Sequence, residues 1–259
     1  MKEQSKKFVV SAITEDAVHR ILLIGTHNHG LFIYDRSLGA IRRPRGTSSS
    51  TIRIRALLAE TKEGNDNEFN IWVGTEDTGL KKFDRESEEI VKPDFRYAPI
   101  DLDNCKVHSI MQDAQGNIWA GIYQKGLLII PRSTNDFEYI KLSASKGSMS
   151  VNLACVTSIT RDHNGTLWVG TDGGGLFKML EDGSNYRYTK DNTPLPNNAI
   201  LSITPDKRGM LWISTYMGGV TCHNQRSGFK TYSNSPELQK VTCSVFDEKN
   251  DKLYLGTLG

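Results

Sequence analysis

The sequence predicts an all-β chain of repeated four-stranded units, and three observations carry that prediction. An apolar segment closing on a small residue and a following glycine recurs six times. The recurrences fall at a period in the forties. No window shows the apolar spacing of an amphipathic helix. The six segments are ILLIGTHNHGL (21–31), IWVGTEDTGL (71–80), IWAGIYQKGL (118–127), LWVGTDGGGL (167–176), LWISTYMGGV (211–220) and LYLGTLG (253–259). Their first small residues, Gly25, Gly74, Gly121, Gly170, Ser214 and Gly256, stand 49, 47, 49, 44 and 42 residues apart. Such a period without a helical pattern points to a β-propeller with one four-stranded blade per repeat.

Each repeat reads as four strands. The first is VSAI (10–13), IRAL (54–57), VHSI (107–110), VTSI (156–159), ILSI (200–203) and CSVF (243–246). A polar turn such as DAQGN (113–117) or DHNGT (162–166) follows, with Gly supplying positive φ. The second strand is the recurring segment. Trp72, Trp119, Trp168 and Trp212 sit two residues before its small residue, and Leu23 and Tyr254 take that place in the outer blades. These rings are expected to be core wedges between blades. Ser109, Ser158, Ser202 and Ser244 stand 12 residues before the small residue, and this column is expected to give each ring a small surface to pack on. The third strand is LFIYD (31–35), LKKFD (80–84), LLIIP (127–131), LFKML (176–180) or VTCHN (220–224). Between strands two and three the chain reverses at glycine, which tolerates the turn. The fourth strand is weaker and aromatic, as in FEYIK (137–141), YRYTK (186–190) and FKTYS (229–233). Blades are expected at 8–46, 52–97, 105–141, 154–190 and 199–233, with the first half of a sixth at 241–259. Insertions at 61–70 and 141–152 and the proline-bearing connector 191–198 read as loops. Five complete units and a half are expected to be an arc of a larger, seven-bladed array.

Composition narrows the function. The 259 residues carry 32 Lys plus Arg against 30 Asp plus Glu, a net charge of +2, which argues against an electrostatic nucleic-acid binder. No run approaches the ~18 apolar residues of a spanning helix, so no membrane contact is expected from this segment. The opening MKEQSKKFVVSAITED has too short an apolar stretch for a signal peptide. Cys105, Cys155, Cys222 and Cys243 form no CxxC pair, and all four are expected as buried free thiols.

The unit V-x-S-I, then D-x-x-G-x-L-W-V-G-T-x-x-G-G-L, resembles the two-component regulator propeller repeat. Residues 156–176, VTSITRDHNGTLWVGTDGGGL, follow it almost position by position. Residues 195–220 follow it with Ser214 in place of Gly, after a Leu-Pro-Asn-Asn that the family favours. The resemblance covers nearly all of 8–259. It implies the extracytoplasmic sensor region of a hybrid two-component histidine kinase, placed in the periplasm and responding to an oligosaccharide or other small ligand. It implies as partners the remaining blades, the downstream sensor and kinase domains of a parent receptor, and a second copy in a paired receptor. No kinase motif stands in this chain, so no phosphoryl transfer is expected from it.

The turns between strands two and three are where a ligand site is expected. Their free positions are His27, Asn28 and His29; Glu76, Asp77 and Thr78; Tyr123, Gln124 and Lys125; Asp172, Gly173 and Gly174; Tyr216, Met217 and Gly218. Polar groups with aromatic rings suit a sugar, whose hydroxyls need donors and acceptors and whose apolar face needs a ring. The named candidates are His27, Asn28, His29, Glu76, Asp77, Tyr123, Gln124, Lys125, Asp172 and Tyr216. His27 and His29 lack a third ligand in the sequence, so neither metal nor cofactor is expected. Arg42, Arg43, Arg45, Arg53 and Arg55 form the densest basic run, read either as a site for a sulfated or uronate glycan or as a charged blade edge. His27, Glu76 and Asp172 are the loose acid–base candidates for a propeller lyase or hydrolase. There is no GxSxG, Walker-type loop or HExxH. A scaffold for protein contact is the other alternative to a sensor.

Overall fold

A computed structural model gives the structure of the protein and describes residues 9–46, 51–61, 70–95, 100–132, 138–140, 155–180, 184–224 and 226–257. Most of the insertion at 61–70 and all of that at 141–152 lie outside the described residues. The fold is the expected one, a β-propeller of four-stranded blades. The chain divides into two compact units, residues 1–120 with 128–139 and residues 121–127 with 140–259.

The first unit carries two complete sheets and most of a third. The first is β1 (Val10–Asp16), β2 (Ile21–Thr26), β3 (Leu31–Asp35) and β4 (Ala40–Arg42); the second is β5 (Ile54–Ala59), β6 (Ile71–Thr75), β7 (Leu80–Phe83) and β8 (Ile90–Val91). The third sheet is β9 (Val107–Gln112), β10 (Ile118–Ile122), β11 (Gly126–Ile130) and β12 (Glu138–Ile140). The turn between its β10 and β11 belongs to the second unit. That unit also carries β13 (Val156–Arg161), β14 (Leu167–Thr171), β15 (Gly175–Met179) and β16 (Asn185–Tyr188), then β17 (Ile200–Pro205), β18 (Leu211–Thr215), β19 (Gly219–Asn224) and β20 (Gly228–Tyr232). A single-turn helix α1 (Pro236–Gln239) precedes a two-stranded sheet of β21 (Val241–Asp247) and β22 (Lys252–Thr257). The repeat pattern misses α1, whose local signal is Ser235 as N-cap with Pro236 at the first turn.

One register recurs. The small residue of each second strand faces a small residue on the first: Ala12 with Gly25, Ala56 with Gly74, Ser158 with Gly170, Ser202 with Ser214, Cys243 with Gly256. A bulge lies just before each of these first-strand residues. The bulged residue reaches the following blade: Ser11 Oγ donates to the Ile54 carbonyl at 2.5 Å, and Thr157 Oγ1 to the Ile200 carbonyl at 2.6 Å.

Packing between blades corrects the expected role of the serine column. A Cβ built on Gly25, Gly74 or Gly170 meets Ile54 at 2.4 Å, the Val107 carbonyl at 2.8 Å or Ile200 at 2.6 Å. The glycine is therefore a socket, and the apolar side chain that opens the next blade fills it. Three of the four serines, Ser158, Ser202 and Ser244, hydrogen-bond across strands and blades. Ser158 Oγ accepts the Ile203 N–H at 3.2 Å, and Ser202 Oγ meets Ser214 Oγ at 2.7 Å and Ser244 Oγ at 3.3 Å. The tryptophans are wedges as expected, but they lie against aromatic rings. Trp168, 0% exposed, packs beside Tyr188 of its own blade and His223 of the next. Trp72 stacks on Phe95, and Trp212 meets Tyr232. Aromatic residues on or beside the weak fourth strands thus cover the ring from within the blade.

One expectation fails in the last sheet, that of four buried thiols. Cys105, Cys155 and Cys222 are buried, but Cys243 is exposed. Tyr254, in the tryptophan position, is 53% exposed, and Val245 opposite it is 61% exposed. Among the described residues nothing covers this face, so alternation along β21 and β22 carries these side chains into water.

Candidate functional site

The turns between second and third strands are built alike. In the first, second and fourth blades a threonine closes the loop: Thr26, Thr75 and Thr171 Oγ1 donate to the carbonyls of Gly30, Gly79 and Gly175 at 2.7–2.8 Å. Thr26 and Thr75 Oγ1 also accept the N–H of His29 and Thr78. The closing glycine has positive φ, and at Gly175 (φ +90°) a Cβ would lie 2.3 Å from the Tyr188 carbonyl. Only glycine fits there.

In the first unit the turns are bound into the framework. Glu76 is 9% exposed. Its carboxylate takes Arg55 at 2.5 Å and Lys106 at 3.1 Å, with His108 at 3.5 Å. Burial pushes the Glu76 carboxyl up, but the Lys106 and Arg55 contacts outweigh it and hold it below its ordinary value. Burial and the neighbouring Arg55 push the His108 imidazole down, against the pull of Glu76. Asp77 pairs with Arg53 at 3.0 Å. His27 and His29 are half-buried and Asn28 is exposed, with the His27 N–H on the Val9 carbonyl.

The basic run is engaged in the same way. Arg42 forks onto Glu88 with two bonds of 2.8 Å, Arg45 donates its backbone N–H to Glu88 at 2.6 Å, and Arg43 lies 3.9 Å over the Phe32 ring. With Arg53 and Arg55 held by Asp77 and Glu76, these arginines are cross-links of the first unit, as a charged blade edge requires.

In the second unit the turns are more open. Tyr123 and Lys125 are half-buried, while Gln124 and Asp172 are exposed. Tyr216 and Met217 are 56% and 58% exposed. Gln124 and Met217 hold positive φ of 59° and 52°, a strained setting for residues with a Cβ. Asn197 anchors the last turn, its amide donating to the Tyr216 carbonyl at 2.8 Å, and the Arg187 guanidinium donates to the Gly174 carbonyl at 2.7 Å. The antiparallel meander places the Asp172 and Tyr216 turns at one end of the unit's two complete sheets. The ten predicted residues thus fall into two sets, five in each unit. Among the described residues no three His, Cys, Asp or Glu side chains converge as metal ligands.

Sequence reasoning missed a role at the opposite strand ends. The Asp of each D-x-x-G turn binds the Trp six residues on: Asp113 to Trp119 at 2.8 Å, Asp162 to Trp168 at 3.0 Å, Asp206 to Trp212 at 3.0 Å. The constant spacing was the available signal.

Residues 101–124, 150–173 and 194–217 match the two-component regulator propeller family. The chain carries two-component regulator propeller repeats. No curated protein sequence matches it. Among solved structures, the extracellular domain of a putative hybrid two-component system of B. thetaiotaomicron aligns over 99% of this chain and 35% of its own, with TM-score 0.71 and 20% identity. PorZ, a surface component of the type-IX secretion system of Porphyromonas gingivalis, aligns over 97% and 37%, with TM-score 0.62 and 19% identity. A catalytically inactive virginiamycin B lyase of Staphylococcus aureus, solved with quinupristin, aligns over 99% and 94%, with TM-score 0.62 and 12% identity. These likenesses are of fold. This chain spans about a third of the length of the first two of these proteins.

Proposed function

We propose that this chain is a ligand-binding segment of the extracytoplasmic sensor region of a two-component receptor, that its ligand is an oligosaccharide, and that the segment itself catalyses nothing. One observation carries the reading. Tyr216 stands 56% exposed on a turn at the same end of the second unit's sheets as Asp172. An exposed ring on a turn equivalent to the one that carries an exposed carboxylate offers the kinds of group that a pyranose takes. The repeat family supports the sensor setting. In the first unit Glu76 and Asp77 are already paired, so contact is assigned to the exposed Gln124, Asp172 and Tyr216, with Tyr123 and Lys125 on the same turn as Gln124. In a receptor, the ligand must bind two signalling states unequally to pass a signal.

The test is a thermal melt against neutral, acidic and sulfated oligosaccharides. A ligand at ~100 times its Kd raises stability by about 2.7 kcal/mol. A selective shift is expected, reduced by Tyr216→Ala and Asp172→Ala. A cooperative melt that no oligosaccharide moves would overturn the reading.

A further inference from the structure

A second feature lies at the other end of the second unit. The β13–β14 turn, the β17–β18 turn and the link from β19 to β20 border a hollow of about 480 Å³ that is open to solvent. Its lining includes His163, Asn164, Lys207, Arg208, Asn224 and Arg226, with Gly209 at its wall. That volume lies within the ~300–1,000 Å³ of small-molecule sites. The antiparallel meander separates it from the Tyr216 turn by the length of a blade.

The lining is donor-rich. Lys207, Arg208 and Arg226 and the amides of Asn164 and Asn224 are among its lining residues, and no Asp or Glu is. The two nearby aspartates are turned inward. Asp162 accepts the N–H groups of Asn164, Thr166 and the Trp168 indole, and Asp206 accepts those of Arg208, Met210 and the Trp212 indole. Lys207 and Arg208 are steadied by Asp251, which lies outside the lining. The His163 ring donates its Nε2 hydrogen to the Asp206 carbonyl, tying one turn to the next. Among the described residues the Arg226 guanidinium has no carboxylate partner. A Cβ at Gly209 would meet nothing within 4 Å, so the space above that turn is open.

We propose that this hollow is an oxyanion site that holds a sulfate or phosphate monoester on a sugar-sized ligand. Three terminal oxygens can accept from Arg226 and, in competition with Asp251, from Lys207 and Arg208, and the arginines offer planar forks that match such a group. A neutral sugar would leave Arg226 unanswered.

Calorimetry on the full chain tests this, with glucose, glucose 6-sulfate and glucose 6-phosphate as probes. One or both esters bind at least about tenfold more tightly than glucose, as expected for charge-assisted bonds. The ester that binds identifies the source of the anion. Arg226→Ala, at an exposed position, weakens ester binding about tenfold or more, Arg226→Lys by less, and Tyr216→Ala not at all. Binding of neither ester in the millimolar range overturns the proposal, as does ester binding that Arg226→Ala leaves intact. Ester binding lost through Tyr216→Ala and kept in Arg226→Ala assigns the anion to the other end and also overturns it.

Discussion

Asp162 Oδ2 accepts the indole N–H of Trp168 at 3.0 Å, while Oδ1 accepts the backbone N–H of Asn164 and Thr166. One carboxylate therefore closes the hairpin turn and satisfies the buried polar atom of the blade's largest wedge. In the second blade the turn is longer, and Glu60, one methylene longer, binds the Trp72 indole at 2.6 Å. Asp162→Ala strands the indole N–H of a ring that is 0% exposed, and is expected to cost about 3 kcal/mol. Asp162→Asn keeps a turn acceptor and costs less. In a Trp168→Phe background the Asp162→Ala cost falls by about 1 kcal/mol or more. Urea unfolding of the four proteins checks this; equal costs in both backgrounds would show that the two side chains are not coupled.

The socket between blades makes a steric prediction. Gly170 has ordinary φ, so Ala there is opposed by packing alone: Ile200 Cγ2 would sit 2.6 Å from the new Cβ and Ile203 Cδ1 3.2 Å from it. Gly170→Ala is expected to destabilise by about 1–3 kcal/mol, as overpacked cores do. Ile200→Ala removes that Cγ2, and the double variant is expected to lose clearly less than the sum of the two single losses in a thermal melt. Strictly additive losses would refute the knob-and-socket contact.

How much of this was legible follows from what each signal depends on. The second strands were located because Trp168 and Gly170 occupy fixed places in a repeated segment. The choice of what Trp168 packs on was not legible. Alternation along one strand says that Trp168 and Gly170 share a face, but not that His223, 55 residues later, will lie beneath the ring. The pairing of Asp206 with Trp212 was visible as spacing and passed unread, because the turn explained the aspartate well enough. The turn residues were legible as positions only. That Glu76 is held by Arg55 and Lys106 while Tyr216 stands open depends on neighbours from other strands.

Glu88 gives a pH dependence. The Arg42 fork holds its carboxyl down, burial opposes this, and the Arg45 N–H adds to the lowering, so it falls from 4.5 to about 2. A depressed carboxylate contributes stability above its unfolded value and loses it as pH falls, here between about 4.5 and 2. Arg42 is 39% exposed, so screening trims the contribution to about 1–3 kcal/mol. Urea unfolding at pH 7 and pH 3 is expected to show a smaller drop for Glu88→Gln than for the parent chain. Identical drops would mean that the pair contributes nothing to acid sensitivity.

Met217 carries the last prediction. The middle residue of its turn sits at φ +52°, where the fourth blade has Gly173 at +88°. A left-handed residue with a Cβ costs about 1–2 kcal/mol, and glycine recovers this less about 0.5–1 kcal/mol of added chain entropy. Met217 is 58% exposed, so its removal gives up little burial. Met217→Gly is therefore expected to raise stability by about 0.5 kcal/mol, while Met217→Val, with a branched Cβ, lowers it by about 1 kcal/mol or more. Strain kept at an exposed turn is a reason to look for function there. If the proposed sugar site includes this turn, Met217→Gly stabilises the fold and weakens oligosaccharide binding in the same protein. A variant that gained stability and bound as before would separate the strain from the site. One that lost stability would show that the side chain is held by contacts outweighing its backbone cost.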